Sequence, residues 1–170
     1  ENEEELNRIF IDIYGLQDEL NSDVALKDIT ILQEELDRKE LESRNGELLS
    51  AKTGLPIKKD MVIKQLLSYA AGCFMGRYRL DKPGLNIAHP GPTEKELSAY
   101  SYHDHTFEID DDGIIPTMGS DSPFSDDIVA RSKEFIQMVW GDESLTENLN
   151  FINEALGENI EKYLTKKFWA

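Results

Sequence analysis

The sequence predicts a mainly α-helical domain built around one buried central helix, with a long loop and either a small β hairpin or none. Its 170 residues are enough to enclose one hydrophobic core. Apolar residues recur at helical spacing in several separate segments. The stretch 81–119 differs, because it holds four of the six prolines and all three histidines. We therefore expect one helical domain over 1–170, with 81–119 mostly as loop.

The central helix is predicted over 58–79, where apolar residues form two adjoining stripes. Ser68, Gly72 and Gly76 lie four residues apart on this helix. Because Gly is unfavourable inside a helix, this row predicts that another backbone approaches closely. Arg77, Arg79 and the Asp81–Gly84 stretch then mark the helix end. The two stripes comprise Ile63, Leu67, Ala70, Phe74 and Tyr78, and Val62, Leu66, Tyr69 and Cys73.

Five further helices are predicted from apolar spacing and capping residues. Ser122-Pro123 is typical of a helix start, Ser144 with Glu147 resembles a capping box, and Gly157 is a stop signal. These helices are predicted at 3–14, 32–44, 123–140, 145–156 and 159–168. In the long loop we expect a short helix near 94–100. A small hairpin is expected from Thr106–Ile109 and Ile114–Pro116, with its turn at 110–113.

The charge is strongly acidic and unevenly distributed. The formal net charge is −16, yet 51–82 carries seven basic and two acidic residues, a local charge of +5. This segment is either a solvated helix end or a patch that faces phosphate groups. The rest of the chain carries a formal charge of −21. This charge predicts repulsion of nucleic acid at a distance and suits an acidic surface that binds a basic partner. The candidate DNA-binding residues are Lys58, Lys59, Lys64, Arg77, Arg79 and Lys82.

The single cysteine and the lack of a long apolar span suggest a cytoplasmic protein. Cys73 cannot form an internal disulfide, and its position on an apolar helix predicts a packing thiol. Charged residues interrupt the only stretch long enough to consider as a membrane span, so we expect no membrane partner. The chain begins at Glu1 rather than Met, which suggests a piece of a longer protein.

Few patterns point to chemistry. His103-Asp104-His105 would place two imidazoles on one side of an extended segment, as metal ligands or as part of a polar loop. No nucleophile elbow or phosphate-binding glycine loop is present. The aromatic residues Phe74, Tyr78, Tyr100, Tyr102 and Phe107 are candidates for base stacking, although core packing is the favoured interpretation. We predict no catalytic, cofactor-binding or metal-binding residue.

Four segments, in this order, resemble a region of the PglX-type DNA methyltransferases of the BREX phage-exclusion systems. They are Asn2–Leu20, Leu67–Leu85, Asp110–Pro116 and Glu143–Gly157, and the most specific is LSYAAGCFMGRYRLDKPGL at 67–85. That family consists of large, adenine-specific, S-adenosylmethionine-dependent enzymes related to type II restriction-modification proteins. The family's cofactor motif Phe-x-Gly-x-Gly and catalytic motif Asn-Pro-Pro-Tyr have no counterpart here.

The resemblance implies a non-catalytic helical segment that scaffolds the catalytic part of such an enzyme and helps to position DNA. The longer protein would use S-adenosylmethionine, and this segment would bind no cofactor itself. Its partners would be the rest of the methyltransferase, DNA and other phage-defence subunits. The alternative is an acidic protein-interaction module that binds another defence subunit. A third hypothesis is a metal-binding domain built on His103, His105 and nearby Asp residues.

Overall fold

The computed structural model describes residues 2–24, 35–37, 39–40 and 56–169. It contains two compact units, Glu1–Met61 and Val62–Ala170. The single domain predicted over 1–170 stays a prediction. About half of the described residues are helical and one small sheet has two strands, which confirms the mainly α fold class. None of the helices in these ranges is long and apolar enough to cross a membrane.

The first unit contains helix α1 and an isolated bridge. α1 covers Asn2–Tyr14, close to the predicted 3–14, and none of its residues is buried. Leu36 pairs with Ile57 in an antiparallel bridge, and the Leu36 side chain is buried. The helix predicted at 32–44 falls largely outside the described residues.

The second unit carries the hydrophobic core. Helix α2 begins at Lys59, ends at Phe74, and belongs to this unit from Val62 onward. The long loop contains the short helix α3 (Glu94–Leu97), which lies where a short helix was predicted. A hairpin follows, and then the chain turns helical again. The remaining elements are β1 (Tyr100–Tyr102), β2 (His105–Phe107), α4 (Ile128–Trp140), a 3-10 turn (Asp142–Ser144), α5 (Leu145–Leu156) and α6 (Ile160–Lys166).

Helices α4, α5 and α6 pack against one another, and aromatic rings join α2 to them. The Phe135 ring of α4 makes edge contacts with the rings of Phe74 and Tyr69 on α2. Leu67 and Phe74 are buried, as the apolar stripe predicted. Burying such side chains contributes about 1.5–3 kcal/mol each, so this contact is a main source of stability.

The C-terminal end of α2 comes earlier than predicted, at Phe74 instead of 79. Gly76 adopts a left-handed conformation with φ of 71°. The Arg77 amide donates to the Gly72 carbonyl, and the Gly76 amide donates to the Cys73 carbonyl. This pair of hydrogen bonds is the Schellman arrangement that terminates helices at glycine. Because Gly76 fits it without steric cost, the helix stops there, before the cations at 77–82.

Side chains, not a second backbone, lie against the predicted small-residue row. A Cβ atom on Gly72 would come within 2.6 Å of the Tyr78 ring. One on Gly76 would come within 2.8 Å of both Ile109 Cγ2 and Ile87 Cδ1. Ser68 is exposed. The close approach was predicted correctly, but the atoms that approach were not.

Helix α4 begins at Ile128, five residues after the predicted start at 123. Asp127 is its N-cap, and its Oδ1 accepts a hydrogen bond from the Val129 amide at 2.9 Å. Its Oδ2 accepts from the amides of Met118 and Gly119 at 2.8 and 3.1 Å. A buried carboxylate with three amide donors is a stronger cap than Ser122, because charge-assisted hydrogen bonds are the stronger kind.

The last two helices agree closely with their predicted bounds, although one predicted cap is wrong. α5 ends at Gly157, which is left-handed with φ of 68°, as predicted. Ser144 makes no side-chain capping hydrogen bond, because the 3-10 turn already leads into α5. α6 is instead capped by Asn159, whose side chain accepts from the Glu161 amide.

The hairpin lies earlier in the chain than predicted, over 100–107 instead of 106–116. Tyr100 pairs with Phe107 and Tyr102 with His105, so the turn is at 103–104. His103 supports the turn with a positive φ of 52°. Residues 108–116, which include a bend at 111–113, lie outside the sheet. Two buried rings, Tyr100 and Phe107, then meet across the strands.

Candidate nucleic-acid interface

The predicted DNA-binding residues are divided between the two units. Lys58 and Lys59 belong to the first unit. Lys64, on α2, is half-buried and close enough to influence the Tyr163 hydroxyl electrostatically. The other three lie in the second unit just beyond α2, at Arg77, Arg79 and Lys82.

Arg79 is held firmly by the protein. Its Nε and Nη2 donate to the two carboxylate oxygens of Asp81, each at 2.8 Å, and its Nη1 donates to the Ser98 carbonyl at 3.2 Å. The guanidinium lies 4.4 Å from the centre of the Tyr100 ring. The hydrogen bond with Asp81 raises the pKa of Arg79 and lowers that of Asp81. Arg79 therefore anchors the loop to the hairpin.

Arg77 and Lys82 are the accessible cations of this segment. The Arg77 side chain is exposed, with its guanidinium 5.9 Å from the centre of the Tyr78 ring. Lys82 is exposed and pairs through its backbone with Arg79 in an isolated bridge. Neither side chain forms an ion pair within the part of the chain that the structure describes. Both can approach an anionic partner without breaking an ion pair among the described residues.

A cleft opens between the loop that follows α2 and the short helix α3. Asn86 is buried at its base, where its Nδ2 donates to the carbonyls of Gly76 and Glu96, both at 2.9 Å. These two hydrogen bonds tie the end of α2 to α3. The Asn86 Oδ1 is buried and receives no hydrogen bond from any described residue. The cleft is lined by Arg79, Asp81, Lys82, Asn86, His89, Thr93, Lys95, Glu96 and Ser98.

A capping box forms one wall of this cleft. The Glu96 carboxylate accepts hydrogen bonds from the Thr93 amide and hydroxyl, at 2.8 and 2.7 Å. These bonds, and then the 3.1 Å contact with His89 Nε2, lower the pKa of Glu96 to about 2. The Pro90 carbonyl, followed by Glu96, raises the pKa of His89. Glu96 is thus a carboxylate already satisfied by its neighbours.

A second recess surrounds Arg131 of α4 and is acidic. Arg131 Nη1 donates to Glu134 at 2.5 Å, and Nη2 makes a short hydrogen bond to the Glu108 carbonyl. Its guanidinium lies 4.5 Å from the centre of the Phe107 ring and 5.4 Å from that of Phe74. Burial raises the pKa of Asp110 in this recess. The other carboxylates that line it are Glu108, Asp111, Asp126 and Glu134.

The predicted histidine pair does not form a site. His103 lies in the hairpin turn and His105 on β2, so the two do not extend from one strand as predicted. No group of three or more His, Cys, Asp or Glu among the described residues could hold a metal ion. Cys73 is buried, and burial raises its pKa to about 11. A thiol with that pKa is protonated at neutral pH and serves packing.

The aromatic residues considered for base stacking belong to the core instead. Phe74, Tyr100 and Phe107 are buried, and their rings contact one another. This confirms the favoured interpretation of the aromatic set. Tyr78 and Tyr102 are half-buried and pack against the same cluster.

Of the nine residues that line the cleft, only Arg79 and Lys82 were among the DNA-binding residues predicted from the sequence. Asn86, His89 and Lys95 are among those that were not predicted. One signal was available, because Thr93 and Glu96 have the spacing of a capping box. That motif would have placed the start of α3 and hence Lys95. The position of Asn86 had no such signal, because its acceptors are ten residues away on either side.

These features define a small, mainly helical module with charged clefts and, in its described part, no metal cluster. No family model matches the chain. Two adenine-specific methyltransferases are similar to nearly all of it. BrxX of Escherichia coli O9:H4 (strain HS) is 37% identical over 181 aligned positions, covering 98% of this chain and 14% of that protein. PglX of Lacticaseibacillus casei (strain Zhang) is 38% identical over 177 positions, covering 99% of this chain and 12% of that protein.

Nearly the whole chain is therefore similar to one segment of the adenine-specific methyltransferases BrxX and PglX. This confirms the resemblance predicted from its sequence. It spans only 12–14% of the length of these relatives.

Proposed function

We propose that this chain is a non-catalytic helical segment of a site-specific adenine DNA methyltransferase of a BREX phage-defence system. In that protein it scaffolds the catalytic part and helps to position DNA. The main support is that the similarity to BrxX and PglX covers 98–99% of the chain. Similarity of that extent favours a segment that kept its place within the larger protein.

The non-catalytic role is supported by the residues themselves. The sequence contains neither the Phe-x-Gly-x-Gly cofactor motif nor the Asn-Pro-Pro-Tyr catalytic motif. Its one thiol, Cys73, is buried and protonated at neutral pH. S-adenosylmethionine would accordingly bind to another part of the protein. This segment would supply a packed core and a few accessible cations.

The scaffolding role is supported by the way the second unit is built. Three helices and α2 enclose one core, and Arg79 and Asn86 tie the following loop to it. A loop held in this manner presents Arg77 and Lys82 at a defined place. Helping to position DNA through phosphate contacts needs such pre-arranged cations more than it needs a large net charge.

A methyl-transfer assay tests the proposal. The 170-residue chain and the full-length protein that contains it would each be incubated with duplex DNA and radiolabelled S-adenosylmethionine. We expect no transfer with the chain and transfer to adenine with the full-length protein. Deleting the segment should abolish the activity, because the catalytic part loses its support. Methyl transfer by the isolated chain would contradict the proposal.

The acidic recess around Arg131 favours a second candidate, an interaction module for another defence subunit. Five carboxylates line it beside a single arginine whose charge is already paired. Changing Asp111 and Asp126 to Asn should then weaken binding of a purified, basic defence subunit in titration calorimetry. Binding that is unaffected by both changes would reject this candidate.

A further inference from the structure

We propose that the cleft at Asn86 binds two neighbouring phosphodiester groups of the DNA backbone, one at the ammonium group of Lys82 and one at that of Lys95. This inference rests on the proposed function and assigns the DNA contact to a particular place. Both lysines line the cleft, and both are exposed. Lys95 lies outside the set of residues that charge patterning indicated, whereas Lys82 belongs to it.

The acidic groups of the cleft are already satisfied, and its lysines are not. Asp81 is held by two hydrogen bonds from Arg79. Glu96 accepts from Thr93 twice and contacts His89. No described residue forms an ion pair with Lys82 or Lys95. The two lysines therefore supply the charge in the cleft that is free to meet a phosphate, despite the net −16 of the chain.

The fold fixes the backbone positions of the two lysines. Lys82 follows Arg79, which is anchored on the Tyr100 ring and the Ser98 carbonyl. Lys95 is on α3, which Asn86 ties to the end of α2. Asn86 is therefore a positioning residue for Lys95. Fixing the backbone at both lysines removes part of the entropy that would be lost when their side chains bind phosphate.

The contact should be independent of DNA sequence. The amide of Thr93 and the capping hydroxyl are occupied by Glu96, so they offer no fixed donors for a base edge. Lysine acts on phosphate as a point charge and carries little base information. The cleft would thus add affinity and orientation, and another part of the protein would read the target site.

Salt-dependent DNA binding tests the inference. Binding of the 170-residue chain to a fluorescent DNA duplex would be followed by anisotropy from roughly 50 to 200 mM salt. We expect K82Q/K95Q to reduce the log–log salt slope by about 1.8, because each phosphate contact contributes about 0.9. The ratio of wild-type to variant affinity should then shrink about twelvefold across that range. The loss should be equal for two unrelated duplex sequences.

The matched control is K162Q/K166Q, which removes the same charge from α6. Both lysines of the control are exposed, and neither lines the cleft. The inference predicts a control slope equal to that of the wild-type chain. Equal slopes for both double variants, or no measurable binding by the wild-type chain at low salt, would overturn it. If the full-length protein still methylates adenine in that case, the proposed function stands and only this assignment fails.

Discussion

Two arginines of the second unit are anchored in nearly the same way, yet they belong to clefts of opposite character. Arg79 lies over the Tyr100 ring at 4.4 Å, and Arg131 lies over the Phe107 ring at 4.5 Å. Tyr100 and Phe107 are themselves paired across the hairpin. Each guanidinium also donates to one carboxylate and to one backbone carbonyl.

The residues around the two arginines make the difference. Near Arg79 the carboxylates already accept hydrogen bonds and two lysines form no ion pair with a described residue. Near Arg131 five carboxylates line the recess beside a single arginine, which pairs with Glu134. An arginine in this protein is therefore poor evidence for a phosphate contact. The unpaired charge of its neighbours is the better guide, because a guanidinium already in a bidentate pair has few donors left. The following changes test this comparison.

The largest loss of stability should follow removal of a ring from the Tyr100–Phe107 pair, against which both arginines lie. Phe107→Ala removes a fully buried ring that contacts Phe74, Tyr100 and Arg131. We expect a loss of about 3–5 kcal/mol in the free energy of unfolding, measured by denaturant titration. Phe124→Ala is the control, because Phe124 is 53% exposed and should cost far less. Similar losses for both variants would show that the hairpin does not join the core.

The two arginines should contribute unequally to the free energy of unfolding. Arg131→Ala should cost about 3 kcal/mol, since it leaves Glu134 unpaired and uncovers two buried rings. Arg79→Ala should cost about 2 kcal/mol, because it uncovers only one ring. Thermal unfolding of both variants and of Arg131→Met measures the difference. Arg131→Met should recover part of the loss, because its side chain still covers the rings. The opposite ranking would contradict this account of the two anchors.

The end of α2, to which Asn86 of the cleft is hydrogen-bonded, depends on Gly76. Gly76→Ala should cost about 2 kcal/mol, because the new Cβ strains a left-handed residue and meets Ile109 and Ile87 at 2.8 Å. Gly113→Ala is a matched control, with φ of 74° and nothing within 4 Å of the added Cβ. It should cost only the conformational part, about 1 kcal/mol. Equal costs in denaturant titrations would mean that the two isoleucines move aside freely.

The smallest effect concerns the His89–Glu96 wall of the cleft. The raised pKa of His89 gives stability below its ordinary pKa, which is lost as pH rises through the raised value. The lowered pKa of Glu96 gives stability above its ordinary pKa, which is lost as pH falls through about 2. Both contributions are therefore present between the ordinary pKa values of Glu and His. In an NMR titration, Glu96→Gln should lower the pKa of His89. An unchanged pKa would mean that the Pro90 carbonyl alone raises it.

Regular helices were predicted well because their signals are local. The apolar spacing of 145–156 and the stop at Gly157 predicted α5, and Leu67 and Phe74 were correctly assigned to the core. The ends of α2 and α4 were predicted less well. Competing signals were present at both ends. Only the surrounding structure determined that α2 terminates at Gly76 and that α4 starts after Asp127.

The candidate site was predicted only in part. Charge patterning indicated Lys82 within the basic segment, but it could not tell that Arg79 is engaged by Asp81, Ser98 and Tyr100. It also gave no reason to choose Lys95, which lies in an acidic stretch of sequence. Charge sums count ionic groups, whereas binding depends on the groups that remain unpaired.

The amino-acid sequence by itself determined the mainly α class, the apolar stripe of α2 and the relation to PglX-type methyltransferases. Each of these depends on local periodicity or on residue identity, which can be read along the chain. The tertiary structure alone decided the register of the hairpin, the two arginine–ring anchors and the cleft at Asn86. Those features join residues that are distant in sequence, and their energies depend on burial and on hydrogen bonds that form only once the chain is packed.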